Sequence, residues 1–293
     1  RYGWGGRMAE LLTTYNLDPL VSPLITLSGL NAFQVSRDSL INPYGLSNDG
    51  AMALNLFNGF RRTMIENSMT AASDGGDLLS QKYAEVFQSA RTAEVIVRAA
   101  FDEAEANGID YDAIFATAGG TDTTTQRCLK TVAKMIAGRN STTNLRPIFF
   151  ISMRGFDTHQ NLLGNHASLM TDLDASMKGF RDALIAQGDF DSVVTMVGSE
   201  FGRTFTPNGN NAAAGSDHGW GGHLMFMGDA VNGSRLLGVH PDFRLDQGLD
   251  TGRGRWIPTT SASQSAAELA RWMGVPEGEL LAIFPSLTNF GGV

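Results

Sequence analysis

The chain has 293 residues, 42% of them hydrophobic, and a formal net charge of −8. No apolar run approaches the ~20 residues needed to span a membrane, and no basic block marks nucleic acid as a partner. The length suits one large domain or two small ones with a substantial core, and a single cysteine excludes both an intrachain disulfide and a zinc–thiolate cluster.

The sequence opens Arg1-Tyr2-Gly3-Trp4-Gly5-Gly6-Arg7, without an initiating Met or a signal peptide, so an N-terminal portion is expected to precede it. Residues 17–43, with Pro19, Pro23 and Pro43 between short apolar pieces, predict irregular chain with one strand. A helix is expected over 51–67. A longer one is expected over 83–107, with apolar positions at Val86, Ala90, Val95, Val97, Ala99, Ala100 and Phe101 and a closing Asn107-Gly108. Residues 117–125 read as a loop or helix N-cap region, and 123–137 as a helix carrying Cys128 as a small buried hydrophobe. The first 145 residues are thus predicted to be mostly helical.

From 146 onward the pattern becomes strand–loop–helix–strand. Residues 147–153 and 192–198 are apolar runs that read as buried strands. Between them, 165–186 sets His166, Leu169, Met170, Leu173, Met177, Phe180 and Leu184 at spacings of three and four, an amphipathic helix with His166 in its core-facing stripe. This β-α-β order predicts a parallel pair with a right-handed crossover. A further strand is expected at 223–228, and helices at 263–272 and 276–284. The whole predicts a single α/β domain, with a helical portion at 1–145 and a strand-rich core at 146–293.

Three clusters carry the chemistry: Gly155-Phe156-Asp157-Thr158-His159, Ser199-Glu200-Phe201-Gly202-Arg203-Thr204 and Ser216-Asp217-His218-Gly219. Two follow predicted strands and one precedes a strand, and residues past strand ends of an open α/β sheet line one crevice. Carboxylates and imidazoles gathered there suit a divalent metal or an acid/base site. Asp157 and His159, two apart, project to one side of extended chain and suit two ligands on one ion. His218 is a further ligand. Glu200 is either a ligand through oxygen or the partner of Arg203, and Arg203 can instead clamp a phosphate or sulfate. Asp217 is either a ligand itself or a group that fixes a ligating ring. Trp220 is placed to line the site, and the role of His223 stays open.

At these residues the sequence resembles the domain-of-unknown-function family numbered 1501. Gly3-Trp4 with Gly6-Arg7, Ile257-Pro258-Thr259, Trp272-Met273-Gly274-Val275-Pro276 and Phe284-Pro285 extend the resemblance along nearly the whole chain. It implies the alkaline phosphatase and sulfatase superfamily, a three-layer α/β/α sandwich with metals at the strand ends, here lacking its first strand and the usual nucleophile region. Members are commonly exported, many through a twin-arginine signal, which implies a periplasmic or cell-surface protein. Asp157, His159 and His218 resemble the first metal's ligands, and Glu200 falls where a second site supplies an Asp. Phe201 stands where that second site has a His, which removes a ligand. The expectation is one or two ions of zinc, calcium or manganese, with Arg203 and Asp217 as catalytic residues of a phosphate- or sulfate-ester hydrolase. The alternative is a non-catalytic cell-surface or assembly protein with a degenerate site and a protein partner or a second copy of itself. A carbohydrate-binding module, resting on Trp220 and Trp256, ranks last.

Overall fold

A computed structural model describes residues 2–16, 21–38, 41–51, 54 and 56–290. In chain order the elements are α1 (Trp4–Leu11), β1 (Leu24–Thr26), β2 (Tyr44–Gly45), α2 (Gly59–Gly75), α3 (Leu78–Ala106), α4 (Tyr111–Thr117), α5 (Thr124–Ala137) and α6 (Arg139–Thr142). They continue with β3 (Ile148–Phe150), α7 (Leu162–Gln187), β4 (Thr195–Val197), β5 (Gly202–Pro207), β6 (Ser216–Gly219), β7 (Met225–Met227), α8 (Ala262–Trp272) and α9 (Leu280–Ile283). The protein is a mixed α/β chain that divides into two compact units, one of residues 1–109 and 131–151 and one of 110–130 and 152–293. Residues 131–151, which run across the expected limit of the helical portion near 145, fall in the first unit.

The first unit is organised on a parallel sheet of order β2-β1-β3, with Ile25 opposite both Tyr44 and Phe149. All three residues of β1 are buried, as a central parallel strand requires. Gln34, fully buried, donates its amide to the carbonyls of Ile25 and Ile148 at 3.1 and 2.9 Å, tying β1 to β3 through a side chain. Asn16 Oδ1 accepts from the backbone of Leu145 and Arg146, which fixes the entry to β3. Helix α3 begins five residues earlier than its apolar pattern predicts, because Asp77 caps it by accepting from Ser80 N at 2.8 Å. Ala93, Val97, Ala100 and Ala104 form its buried stripe, and the first three join Val21, Ile25, Leu46 and Met135 in one core. Val86 and Val95, read as apolar positions of the same helix, are exposed. The helix expected at 51–67 is instead α2, starting at Gly59; residues 52, 53 and 55 lie outside the described residues.

In the second unit, α7 buries Leu173, Ser176, Phe180, Ala183 and Leu184, and α4 packs against it with Phe115 over Gly179. Asp172 on α7 accepts from Thr123 and Ser176 at 2.7 and 3.0 Å. Two separate antiparallel pairs follow, β4 with β7 and β5 with β6. The β-α-β order is present, but β3 pairs with β1 and β4 with β7, so the expected parallel pair of 147–153 with 192–198 does not form. Helix α8 opens on a full capping box, Ser261 with Gln264. His166 is exposed and meets the edge of Phe156, which corrects its reading as a core histidine. Cys128 is buried, as expected. Among the described residues no helix is long and apolar enough to cross a membrane.

Candidate metal centre

The second and third clusters, expected beside the ends of strands, lie largely on strands β5 and β6 themselves. The ladder between β5 and β6 shifts register between Arg203 and Pro207. Thr204 fills the irregularity: its hydroxyl accepts from Asp217 N at 3.1 Å and donates to Thr206 O at 2.8 Å. A bulged ribbon of this kind re-aims side chains toward a site. The first cluster is sewn to the foot of β6, with Ser216 N donating to Thr158 O, Leu162 N to Ala214 O and Asn161 N to Ala213 O. Asn208 completes the seam by donating to His159 O and accepting from Gly215 N. Gly215 permits this close approach, since a Cβ there would lie 2.1 Å from the carbonyl carbon of His159.

The seam brings Asp157, His159 and His218 together as a group whose donor atoms converge. Asp157 Oδ1 lies 2.9 Å from His218 Nε2 and 3.0 Å from His159 Nε2, and the two Nε2 atoms are 3.3 Å apart. An ion bound at about 2.0–2.2 Å by N and O ligands needs donors roughly 2.8 to 3.5 Å apart, between the octahedral and tetrahedral limits. The triangle falls inside that range, so the residues fit a first-row divalent metal. Three lone-pair atoms at this separation repel one another unless protons or a cation lie among them. All three side chains are about half exposed, so the group is reachable from solvent.

A family model described as Protein of unknown function (DUF1501) matches residues 32–249, three quarters of the chain and all three clusters. The chain belongs to this family. Comparisons with curated proteins and with solved structures give no match. Within this DUF1501 chain, the match covers neither Gly3–Arg7 nor the motifs from Ile257 onward.

Cations brace the carboxylates of the site. Arg203 donates through Nη2 to Asp157 Oδ1 at 2.7 Å and to Phe156 O at 2.8 Å, and through Nη1 to Ser216 O at 2.5 Å. Arg203 thus forms a bridge from β5 to the first cluster in place of the alternative pairing with Glu200. Glu200 is exposed and lies outside the donor group. The His218 hydrogen bond, helped by Arg203, holds the Asp157 carboxyl below the usual carboxylate range. Asp217 is likewise held low, chiefly by Arg253, which donates to Asp217 Oδ2 at 2.6 Å. Asp217 Oδ1 in turn lies 3.4 Å from His159 Nδ1.

Three contributors were missed in the sequence. Arg253 is one. Arg255 is the second, donating to His218 O at 3.2 Å. Phe201 is the third: read as a lost ligand, it stacks on the His218 ring at 4.0 Å and 10°. The alternation Gly252-Arg253-Gly254-Arg255-Trp256 was the available signal for the two arginines. Trp220 is exposed, and His223 lies 6.3 Å from the exposed His240 ring.

Proposed function

We propose that this DUF1501 chain holds one divalent metal ion through Asp157, His159 and His218, in an exported protein that hydrolyses a phosphate or sulfate ester. The convergence of the three donor atoms within 3.3 Å of one another carries the reading. Of zinc, calcium and manganese, two imidazoles with one carboxylate favour zinc, because calcium takes oxygen ligands. Three protein donors on exposed side chains match the donor count of catalytic rather than structural zinc sites. When bound, such an ion supplies Lewis-acid charge stabilisation and acidifies a bound water. The protein's part is to hold the donors: Arg203 aims Asp157, and Phe201 fixes the His218 ring. Motif resemblance carries the finer expectations, namely the alkaline-phosphatase-like sandwich, export and the anionic ester.

A second reading, a metal-binding surface or assembly protein without catalysis, is favoured by one observation. Arg203, Arg253 and Arg255 all direct their guanidinium groups to protein acceptors rather than toward solvent-borne anions. Elemental analysis and zinc titration of the full chain test the site. One equivalent in the wild type and none in His159→Ala is expected, with the fold kept. Full occupancy in His159→Ala, or none in the wild type, refutes the ligand assignment. Zinc-dependent cleavage of p-nitrophenyl phosphate or sulfate then supports the hydrolase, and tight zinc without cleavage supports the second reading.

A further inference from the structure

Adjacent side chains on a strand point to opposite faces, yet Asp217 and His218 of β6 both reach His159. They take opposite edges of one ring: His218 Nε2 faces His159 Nε2 at 3.3 Å, while Asp217 Oδ1 faces His159 Nδ1 at 3.4 Å. Asp217 cannot swing away freely, because its other oxygen is bound by Arg253 and its backbone N–H by Thr204. His159 is held from behind as well, by Asn208 on its carbonyl. A carboxylate can only accept, so Asp217 favours a proton on Nδ1 while Asp157 Oδ1, 3.0 Å from Nε2, favours one there, and a cation that takes up the Nε2 lone pair leaves the proton to Nδ1.

We infer that Asp217, braced by Arg253, is a positioning residue that holds the Nδ1 edge of His159 and so turns its Nε2 into the donor triangle, where a bound cation takes the Nε2 lone pair and Asp217 accepts from Nδ1–H. The inference rests on the metal-centre reading and adds to it a carboxylate–histidine relay of the kind that orients metal-ligating imidazoles. His218 is held differently, by the face of Phe201, so the two histidines of the triangle have separate supports.

The test combines a spectroscopic readout with affinity. In zinc-loaded wild-type protein, long-range proton–nitrogen NMR correlations are expected to show His159 bound through Nε2 and protonated at Nδ1. Zinc affinity, measured by competition with a chelator, should fall about 10- to 100-fold in Asp217→Ala, and less in Arg253→Met. Asp217→Asn, which keeps an acceptor oxygen, should recover part of the loss. Should Asp217→Ala fail to fold, Arg253→Met and the wild-type tautomer still decide. Zinc bound through His159 Nδ1 with the proton on Nε2, or unchanged zinc affinity in a folded Asp217→Ala variant, overturns the inference. Zinc uptake by the wild type with unchanged affinity in Asp217→Ala overturns this inference alone, whereas no uptake by the wild type overturns the metal reading on which it rests.

Discussion

Replacing Gly215 by alanine should disable the proposed metal site from a position outside the donor group. A Cβ at 215 would lie 2.1 Å from His159 C and 2.4 Å from the carbonyl oxygens of His159 and Thr158. Non-bonded contacts of carbon settle near 3.5 Å, so the two backbones must part by roughly 1 Å. The donors are only 2.9 to 3.3 Å apart, so a shift of that size takes His159 out of the triangle. Overpacking of this kind costs about 1–3 kcal/mol, which for a unit of this size lowers the melting temperature by roughly 2–12 °C. Zinc affinity should drop about tenfold or more, the scale of lost supporting contacts. Thermal unfolding and chelator competition on Gly215→Ala measure both effects. Gly209→Ala is the control, since its Cβ would meet only Ala214 at an ordinary 3.5 Å. A Gly215→Ala protein with wild-type melting and wild-type zinc affinity would refute the argument that the seam between 158–162 and 213–216 sets the donor geometry.

Gln34→Leu removes a fully buried donor from two strand carbonyls, and should cost about 1–3 kcal/mol in urea unfolding. Ser261→Ala breaks the α8 capping box and should cost about 0.5–2 kcal/mol, with Ser261→Asp near neutral. Asp217 is held below its unfolded value, near 3.9, chiefly by Arg253, so its contribution is present above that pH and lost as pH falls through the lowered folded value. The wild-type advantage over Asp217→Asn in thermal unfolding should therefore hold at pH 7 and shrink below about pH 4. An advantage that stays constant from pH 7 to pH 2 would contradict it.

Much of the helical framework is legible from periodicity and caps. Residues 123–137, 165–186 and 263–272 fall within two or three residues of α5, α7 and α8. Strand partnership is not, because an apolar run such as 147–153 states that it will be buried but not beside which strand. The 202–207 and 216–219 strands escaped notice for a related reason. They are short and polar, and they pair through a bulged ladder that Thr204 repairs with its side chain. At the site, Asp157, His159 and His218 stand out because their residue types are rare and grouped. Glu200 has the same chemistry and a similar sequence setting, but the turn before β5 leaves it outside. Arg253 and Asp217 are 36 residues apart, and only folding makes them partners.

The aromatic packing beneath the 250–256 segment gives the site an optical handle. Trp256 is buried with its indole N–H lacking a hydrogen-bond partner, and it packs edge-on to Phe205 at 4.1 Å and against Phe243 at 4.6 Å. An indole in so dry a setting emits at short wavelength, and it follows Arg255 directly in the chain. Label-free fluorescence at that single ring, isolated by replacing Trp4, Trp220 and Trp272 with phenylalanine, would thus record any loosening of the loop from which Arg253 and Arg255 reach the cluster.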